Sequence, residues 1–308
     1  MALGFIFPGQ GSQSIGMLKD LAEAHAGVRE TYDEASAALG YDLWQIVQEG
    51  PQERLNSTEV TQPAMLAAGV AVWRVWQAQG GPQPVMMAGH SLGEYSALVC
   101  AGSLPFADAI TLVAERGRLM QQAVPEGSGA MAAILGLDDA QVIAVCAAAA
   151  QGDVVEAVNF NSPGQVVVAG SKAAVERAAE LAKAEGAKRA VLLPVSVPSH
   201  CSLMKPAADE LAKRLADIDI QQPQVQVINN VDVDSPADAD GIRDALTRQL
   251  YQPVRWVETI NKLSSLGIET VVEAGPGKVL TGLNKRIVKT MTALPVYDSA
   301  SLSTALSA

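Results

Sequence analysis

The chain has 308 residues, 49% hydrophobic and 18% charged, a balance that fits an ordinary globular protein with one full core plus a smaller unit and implies no disordered region. Its formal net charge of −11 argues against nucleic acid as a partner, because phosphate binding needs a positive field. No apolar run reaches the length of a membrane span and the first residues carry no basic leader; Cys100, Cys146 and Cys201 lack metal-ligand spacing, so reduced thiols in the cytoplasm are expected.

Leu3 to Phe7 reads as a first apolar strand, followed by the turn Phe7-Pro8-Gly9-Gln10-Gly11-Ser12-Gln13. The turn lacks the lysine of a phosphate loop and the spacing of a dinucleotide fingerprint. Gln10 is therefore expected at the C-terminal edge of a parallel sheet, where such sheets bind ligands, with a plain glycine turn as the alternative. His25 lies in a charged segment, Lys19 to Arg29, read as one helix, and is expected at the surface.

Val85 to Ala88 reads as a buried strand that turns through Gly89-His90-Ser91-Leu92-Gly93 into an alanine-rich helix. That is the pattern of a nucleophile elbow, although a tight turn without chemistry would share it. Ser91 sits at a tip too sharp for side chains on both flanks, and Gly89 and Gly93 keep the crossing backbone clear. The Leu92 amide, at a helix N-terminus, then offers half of an oxyanion hole. A serine hydroxyl needs an adjacent base, and the chain has three histidines to choose from. His90, inside the turn, is expected to point away from Ser91 and to pack.

In the helix Ala107 to Gln122, spacing puts Ala109, Val113, Arg116 and Met120 on one face and Arg118 off it. An inward guanidinium needs an anion, either a structural acid or a carboxylate brought by the substrate. From about Gly127 to His200 the order changes to strand 130–135, helix 138–150, strands 154–159 and 165–169, helix 172–185 and strand 187–195. This is the βαββαβ order of a ferredoxin-like unit, inserted between strands Leu3 to Phe7, Val85 to Ala88, Val225 to Asn229 and Thr270 to Glu273 of a mostly parallel sheet.

His200 follows Val197-Pro198-Ser199, where the insertion returns to the main sheet, and such seams form clefts. It is the expected base for Ser91. No third member emerges by spacing: a hydrolase triad would place an acid before a late histidine, whereas more than a hundred residues follow His200. Any fixed acceptor can orient the imidazole, a backbone carbonyl included. Basic residues concentrate at Lys278, Lys285, Arg286 and Lys289, either a local cation cluster for a small anionic substrate or a solvated helix face.

Together with Arg116, the segments Phe7 to Gln13, Gly89 to Glu94, Asn159-Phe160-Asn161-Ser162-Pro163-Gly164-Gln165, Pro198-Ser199-His200 and Glu273-Ala274-Gly275-Pro276-Gly277 resemble the malonyl-CoA:acyl carrier protein transacylases of bacterial fatty acid synthesis. The likeness runs from end to end. It implies an α/β fold with an α/β-hydrolase-like parallel-sheet core over 1–126 and 199–308 and a ferredoxin-like subdomain over 127–198. It implies that Ser91 is acylated, that His200 is the base, and that the main-chain carbonyl of Gln249 orients it. Gln10 and Leu92 would form the oxyanion hole, Arg116 would pair with the free malonyl carboxylate, and Met120, Asn159 and Gln165 would complete the substrate-binding set. Leu92 resembles the malonyl type rather than the methylmalonyl type.

Malonyl-CoA and an acyl carrier protein are the implied partners, with Lys285 and Arg286 for docking. Phosphopantetheine would arrive on a separate chain, since this one has no Asp-Ser-Leu carrier site. No metal or redox cofactor is expected, and a cytoplasmic monomer is. Two rivals stand beside this reading. A hydrolase or thioesterase would use water as acceptor, which the absent late histidine and Arg116 disfavour; a silent docking protein would not need Ser91 and His200.

Overall fold

In the computed structural model, which describes residues 2–195 and 197–308, the strands among these residues fall into two sheets. In chain order they are β1 (Ala2–Phe7), β2 (Met86–Gly89), β3 (Gly129–Leu135), β4 (Val155–Ser162), β5 (Gln165–Ser171), β6 (Arg189–Leu192), β7 (Gln226–Ile228), β8 (Ile268–Ala274) and β9 (Thr292–Val296). The first sheet has the order β7-β2-β1-β8-β9, with every pairing parallel. Successive side chains of β1 alternate between two buried faces: Phe5 and Phe7 pack toward Trp73 and Trp76, and Ile6 packs toward Met86, Ala88 and Trp256. Burial on both sides is why these strands read as continuous apolar runs.

Four strands of this sheet are expected from the sequence; β9 is not. Pro295 argues against a strand in the middle of a sheet, but β9 lies at the edge, where a missing N–H is tolerated. A second correction concerns His25. The segment read as one helix is two, Lys19–Ala24 and Ala26–Leu39, and half-buried His25 occupies the extended break between them.

The other sheet has the order β4-β5-β3-β6 and is antiparallel throughout, as a βαββαβ unit requires. Ala130, Ala132 and Ile134 of β3 face its two helices, Asp139–Ala150 and Lys172–Ala184, and form a small core with Val142 and Ala178. Met131, one residue out of phase, faces the opposite way with Val158, Val167 and Cys201. That face packs against Cys201 and Leu203 of the main unit, and β4 is tied to that unit by Phe160 N–H to the Val254 carbonyl at 3.0 Å and Val254 N–H to the Val158 carbonyl at 2.8 Å.

A long apolar helix, Thr58–Ala78, packs against the helix Phe106–Gln122 and is buried almost all round. Among the described residues no helix is long and apolar enough to cross a membrane. Strands β1, β2 and β8 all end on one edge of the parallel sheet, beside the point where the strand order departs in two directions from β1. Open α/β sheets bind ligands outside the carboxyl ends of their strands at such a switch point.

Candidate active site

The elbow forms as its glycines demand. A Cβ on Gly93 would lie 2.0 Å from the Phe7 carbonyl oxygen, and one on Gly89 would lie 1.9 Å from the Gly93 carbonyl carbon. Ser91 takes a left-handed φ of 51°, a strained backbone that the surroundings hold. Asn230, just past β7, does much of the holding: its Oδ1 accepts from the Ser91 N–H at 2.7 Å and its Nδ2 donates to the Gly89 carbonyl at 2.6 Å. Leu92 precedes the helix Gly93–Cys100, and among the described residues its amide makes no hydrogen bond.

Ser91 Oγ lies 2.8 Å from Nε2 of His200, and His200 Nδ1 lies 2.7 Å from the Gln249 carbonyl oxygen. A carbonyl only accepts, so Nδ1 carries the proton and Nε2 presents its lone pair to the serine. Burial, then the nearby Arg116 charge, push the imidazole down to about 3, against the pull of the Gln249 carbonyl. His200 is therefore neutral and able to accept a proton. Its φ of 67° and its N–H bond to the Leu250 carbonyl at 2.9 Å fix the ring's position. His90, expected only to pack, does more than that. Its Nε2 meets Asn161 Oδ1 at 2.7 Å, linking the elbow to the insertion at the wall of the site.

Arg116 is 1% exposed on the inward face of its helix, with Ala109, Val113 and Met120 buried beside it, while Arg118 reaches solvent and pairs with Glu115. Its guanidinium donates to Gln62 Oε1 at 2.8 Å and Gln249 Oε1 at 3.1 Å, stands 3.5 Å from Ser91 Oγ, and lies 5.4 Å from the Tyr95 ring centre. Nε is buried without a partner, and among the described residues no carboxylate forms an ion pair with Arg116. The anion that the sequence reading asks for is present only at one remove: Glu94 Oε2 accepts from Gln249 Nε2 at 2.9 Å. Burial pushes the Glu94 carboxyl up to about 7, opposed by its hydrogen bonds from Gln249 and Asn230 and by the Arg116 charge.

These side chains open into a cavity of about 500 Å³ at the seam between the two sheets. Gln10 and Leu92 line it from the core and Asn159 and Gln165 from the insertion. Gln10 is exposed on the loop after β1; Asn159 is nearly buried, and its Oδ1 has no partner among the described residues. Met120 also reaches the wall, its sulfur 3.5 Å from Gln62 Nε2. The helix Val279–Ile287 closes one side with Leu280 and Leu283 and exposes Lys285 and Arg286 on its other face. Glu273, at the end of β8, holds that helix by accepting from the Leu280 and Thr281 amides at 3.0 and 2.7 Å.

The structure thus gathers Ser91, His200, Arg116, Gln10, Leu92, Met120, Asn159 and Gln165 around one cavity, with Gln249 buried behind His200 and Arg116 and with Lys285 and Arg286 outside. Gln62, Glu94, Asn161 and Asn230 have no role in the expectations from sequence, although Glu94 and Asn161 lie within segments that carry the resemblance; Gln62 shows only as a lone amide entering the apolar run of Thr58–Ala78.

A serine on a strand-to-helix elbow, a neutral histidine oriented by a carbonyl, and a buried cation beside them define an α/β enzyme built for acyl transfer through serine. Residues 4–303 match the family described as Acyl transferase domain, and the chain belongs to it. It is 62% identical over 302 residues to the malonyl CoA-acyl carrier protein transacylase of Escherichia coli (strain K12), covering 98% of each chain. It superposes on an acyl carrier protein S-malonyltransferase from Vibrio cholerae with a TM-score of 0.97 at 63% identity, covering 99% of both. Another solved relative, a malonyl-transacylase in complex with its type II PKS acyl-carrier protein, gives a TM-score of 0.99 at 60% identity, with 100% of this chain and 99% of that one covered.

Proposed function

We propose that this enzyme moves the malonyl group of malonyl-CoA to the phosphopantetheine thiol of an acyl carrier protein through a malonyl-serine intermediate, supplying fatty acid elongation. The observation that carries the reading is the Arg116 guanidinium, buried without a carboxylate partner among the described residues and 3.5 Å from the Ser91 hydroxyl. An acyl group on Ser91 that ends in a carboxylate places its charge against that cation.

In the first half-reaction His200 Nε2 takes the Ser91 proton as Oγ attacks the thioester carbonyl, and Gln10 and the Leu92 amide receive the oxyanion. Each such donor contributes about 10² to 10³ in rate. The tetrahedral adduct collapses, the C–S bond breaks, and the coenzyme A thiolate leaves with the proton from His200. In the second half the carrier thiol gives its proton to His200 and attacks the serine ester, and Ser91 recovers the proton as it leaves.

The Arg116 charge also bears on His200. An unneutralised cation opposes the positive imidazolium that each attack creates, and a malonyl carboxylate paired with the guanidinium removes the opposition. A neutral acetyl group does not, so Arg116 favours malonyl in the chemical step as well as in binding. Met120 packs beside the cation, and Asn159 and Gln165 offer amide groups to the pantetheine arm. No metal or redox cofactor enters these steps. The proposed site of action is the cytoplasm, in keeping with three unpaired cysteines.

The test uses labelled malonyl-CoA. Label appears on the protein first and moves to the carrier when carrier is added, and Ser91→Ala, which suits the elbow sterically, forms no adduct by mass spectrometry. Release of free malonate instead of transfer would favour the thioesterase reading, and a full adduct on Ser91→Ala would remove Ser91 from the mechanism.

A further inference from the structure

Glu94 stands one residue past Gly93 at the start of the elbow helix, is 2% exposed, and takes no part in the steps above. Its Oε2 accepts two hydrogen bonds, from the Asn230 backbone N–H at 2.8 Å and from Gln249 Nε2 at 2.9 Å. Each donor then holds groups that the reaction uses. Asn230 binds the Ser91 N–H and the Gly89 carbonyl. Gln249 donates to the Ser91 carbonyl at 3.1 Å, accepts from Arg116 at 3.1 Å, and offers its own carbonyl to His200 at 2.7 Å. Three distant parts of the chain, the elbow, the loop after β7 and the end of the helix Ala239–Gln249, therefore meet at one carboxylate oxygen.

We propose that Glu94 is a positioning residue for acyl transfer, whose Oε2 fixes Asn230 and Gln249 against the elbow so that Ser91, the His200 anchor and Arg116 keep one geometry. The proposal rests on the reading of Ser91 and His200 given above. What matters is an sp² oxygen at this reach, since its two lone pairs serve both donors. A glutamine keeps such an oxygen without the charge. An aspartate keeps the charge but falls one methylene short, and a misplacement of about 1 Å near reacting groups costs about 10² in rate.

The experiment compares Glu94→Gln and Glu94→Asp in the full chain, with Glu94→Met, equal in length and without an acceptor oxygen, taking the place of aspartate should that variant not fold. Three quantities are read: kcat and KM for malonyl transfer, the rate of Ser91 labelling by a small neutral fluorophosphonate, and the thermal midpoint. Fluorophosphonate labelling needs the serine–histidine pair but no carboxylate-binding cation. For Glu94→Asp, kcat and labelling fall together by about 10², while KM for malonyl-CoA stays within about threefold. For Glu94→Gln both rates stay within about threefold of the parent.

A drop in thermal midpoint with kcat retained in the aspartate or methionine variant would overturn the proposal, leaving Glu94 a purely structural group. So would a loss confined to KM, or to malonyl transfer with labelling intact, since the defect would then lie at Arg116 alone. A loss in Glu94→Gln as large as that in Glu94→Asp would also overturn it, since an acceptor oxygen at the right reach would then not suffice, and a loss in Glu94→Gln alone would make the charge decisive instead. Failure of the parent chain to label at Ser91 is a separate result, and it would sink the underlying reading of the serine instead.

Discussion

At the floor of the cavity Ser91, His200, Gln249 and Arg116 are bonded to one another and to Gln62, Glu94 and Asn230 before any substrate arrives. At its rim and on the groups that await substrate the pattern reverses: Gln10 is exposed, the buried Asn159 Oδ1 and Leu92 amide have no partner among the described residues, and Lys285 and Arg286 face solvent. The difference follows from when each group acts. A nucleophile, its base and a buried cation must be held in place while the site is empty, because a loose geometry loses rate and an unsupported buried charge loses stability. Groups that receive the oxyanion, the pantetheine arm or the carrier must keep their hydrogen-bonding capacity for the incoming molecule. Arg116 belongs to both regions, with its two terminal nitrogens bonded to the floor and its Nε unpartnered.

That double membership makes Arg116→Ala the variant with the largest expected effect on the balance between floor and rim. Leaving a buried carboxylate without its cation costs about 3 to 5 kcal/mol, so malonyl transfer should fall by at least about 10². Acetyl transfer should hold or rise, because acetyl gains nothing from the guanidinium and the charge opposing His200 is gone. The malonyl-to-acetyl ratio of kcat/KM is the measurement. Parallel loss of both activities with the thermal midpoint would confine Arg116 to the structural floor and remove the main physical support for malonyl specificity.

The pH dependence sharpens the same comparison at His200. Burial and the Arg116 cation both disfavour the imidazolium, so the base stays deprotonated as the pH falls past its ordinary value of 6.5. The acid limb of kcat/KM for malonyl-CoA should therefore lie below pH 6, leaving activity nearly level, within about twofold, between pH 7.5 and 6. In Arg116→Ala the limb should move upward without reaching 6.5, because burial, the larger cause, remains. A parent limb centred at 6.5 or above would mean that the floor does not tune its base.

The floor was only partly legible in the sequence, and physical range explains which part. The elbow was legible because its rule is local: two glycines clear a crossing backbone within five residues. Arg116 was legible because helical periodicity places a charge on an apolar face, and His200 because three histidines leave few choices. The Gln249 carbonyl came from resemblance, since no side-chain pattern marks a backbone acceptor. Glu94, Asn230 and Gln62 were not legible. Their bonds close over 136, 139 and 54 residues, and common polar residues give no sign of which distant segment they meet. In the fold, β9 was hidden by Pro295 and the break at His25 by a charged pattern that runs through it. The rim was more legible than its chemistry. Glycine-rich and basic segments stand out by composition, but composition does not say what they touch.

The smallest expected effect, and the one that separates rim from floor most cleanly, is charge reversal on the helix Val279–Ile287. Its buried side lines the cavity through Leu280 and Leu283, while Lys285 and Arg286 are exposed, form no ion pair among the described residues, and stand out on a chain of net charge −11. An acidic carrier protein whose phosphopantetheine enters beside this helix would meet a local positive field, which acts on encounter more than on the chemical step. Lys285→Glu with Arg286→Glu should raise KM for the carrier about five- to tenfold at low salt and leave acylation by malonyl-CoA within about twofold. Because the screening length is about 10 Å at 0.1 M salt and about 3 Å at 1 M, the gap between variant and parent should narrow as salt is added. Equal losses in both half-reactions would mean that the substitutions disturbed Leu280 and Leu283 and hence the cavity wall. No loss in either would return the cluster to an ordinary solvated helix face.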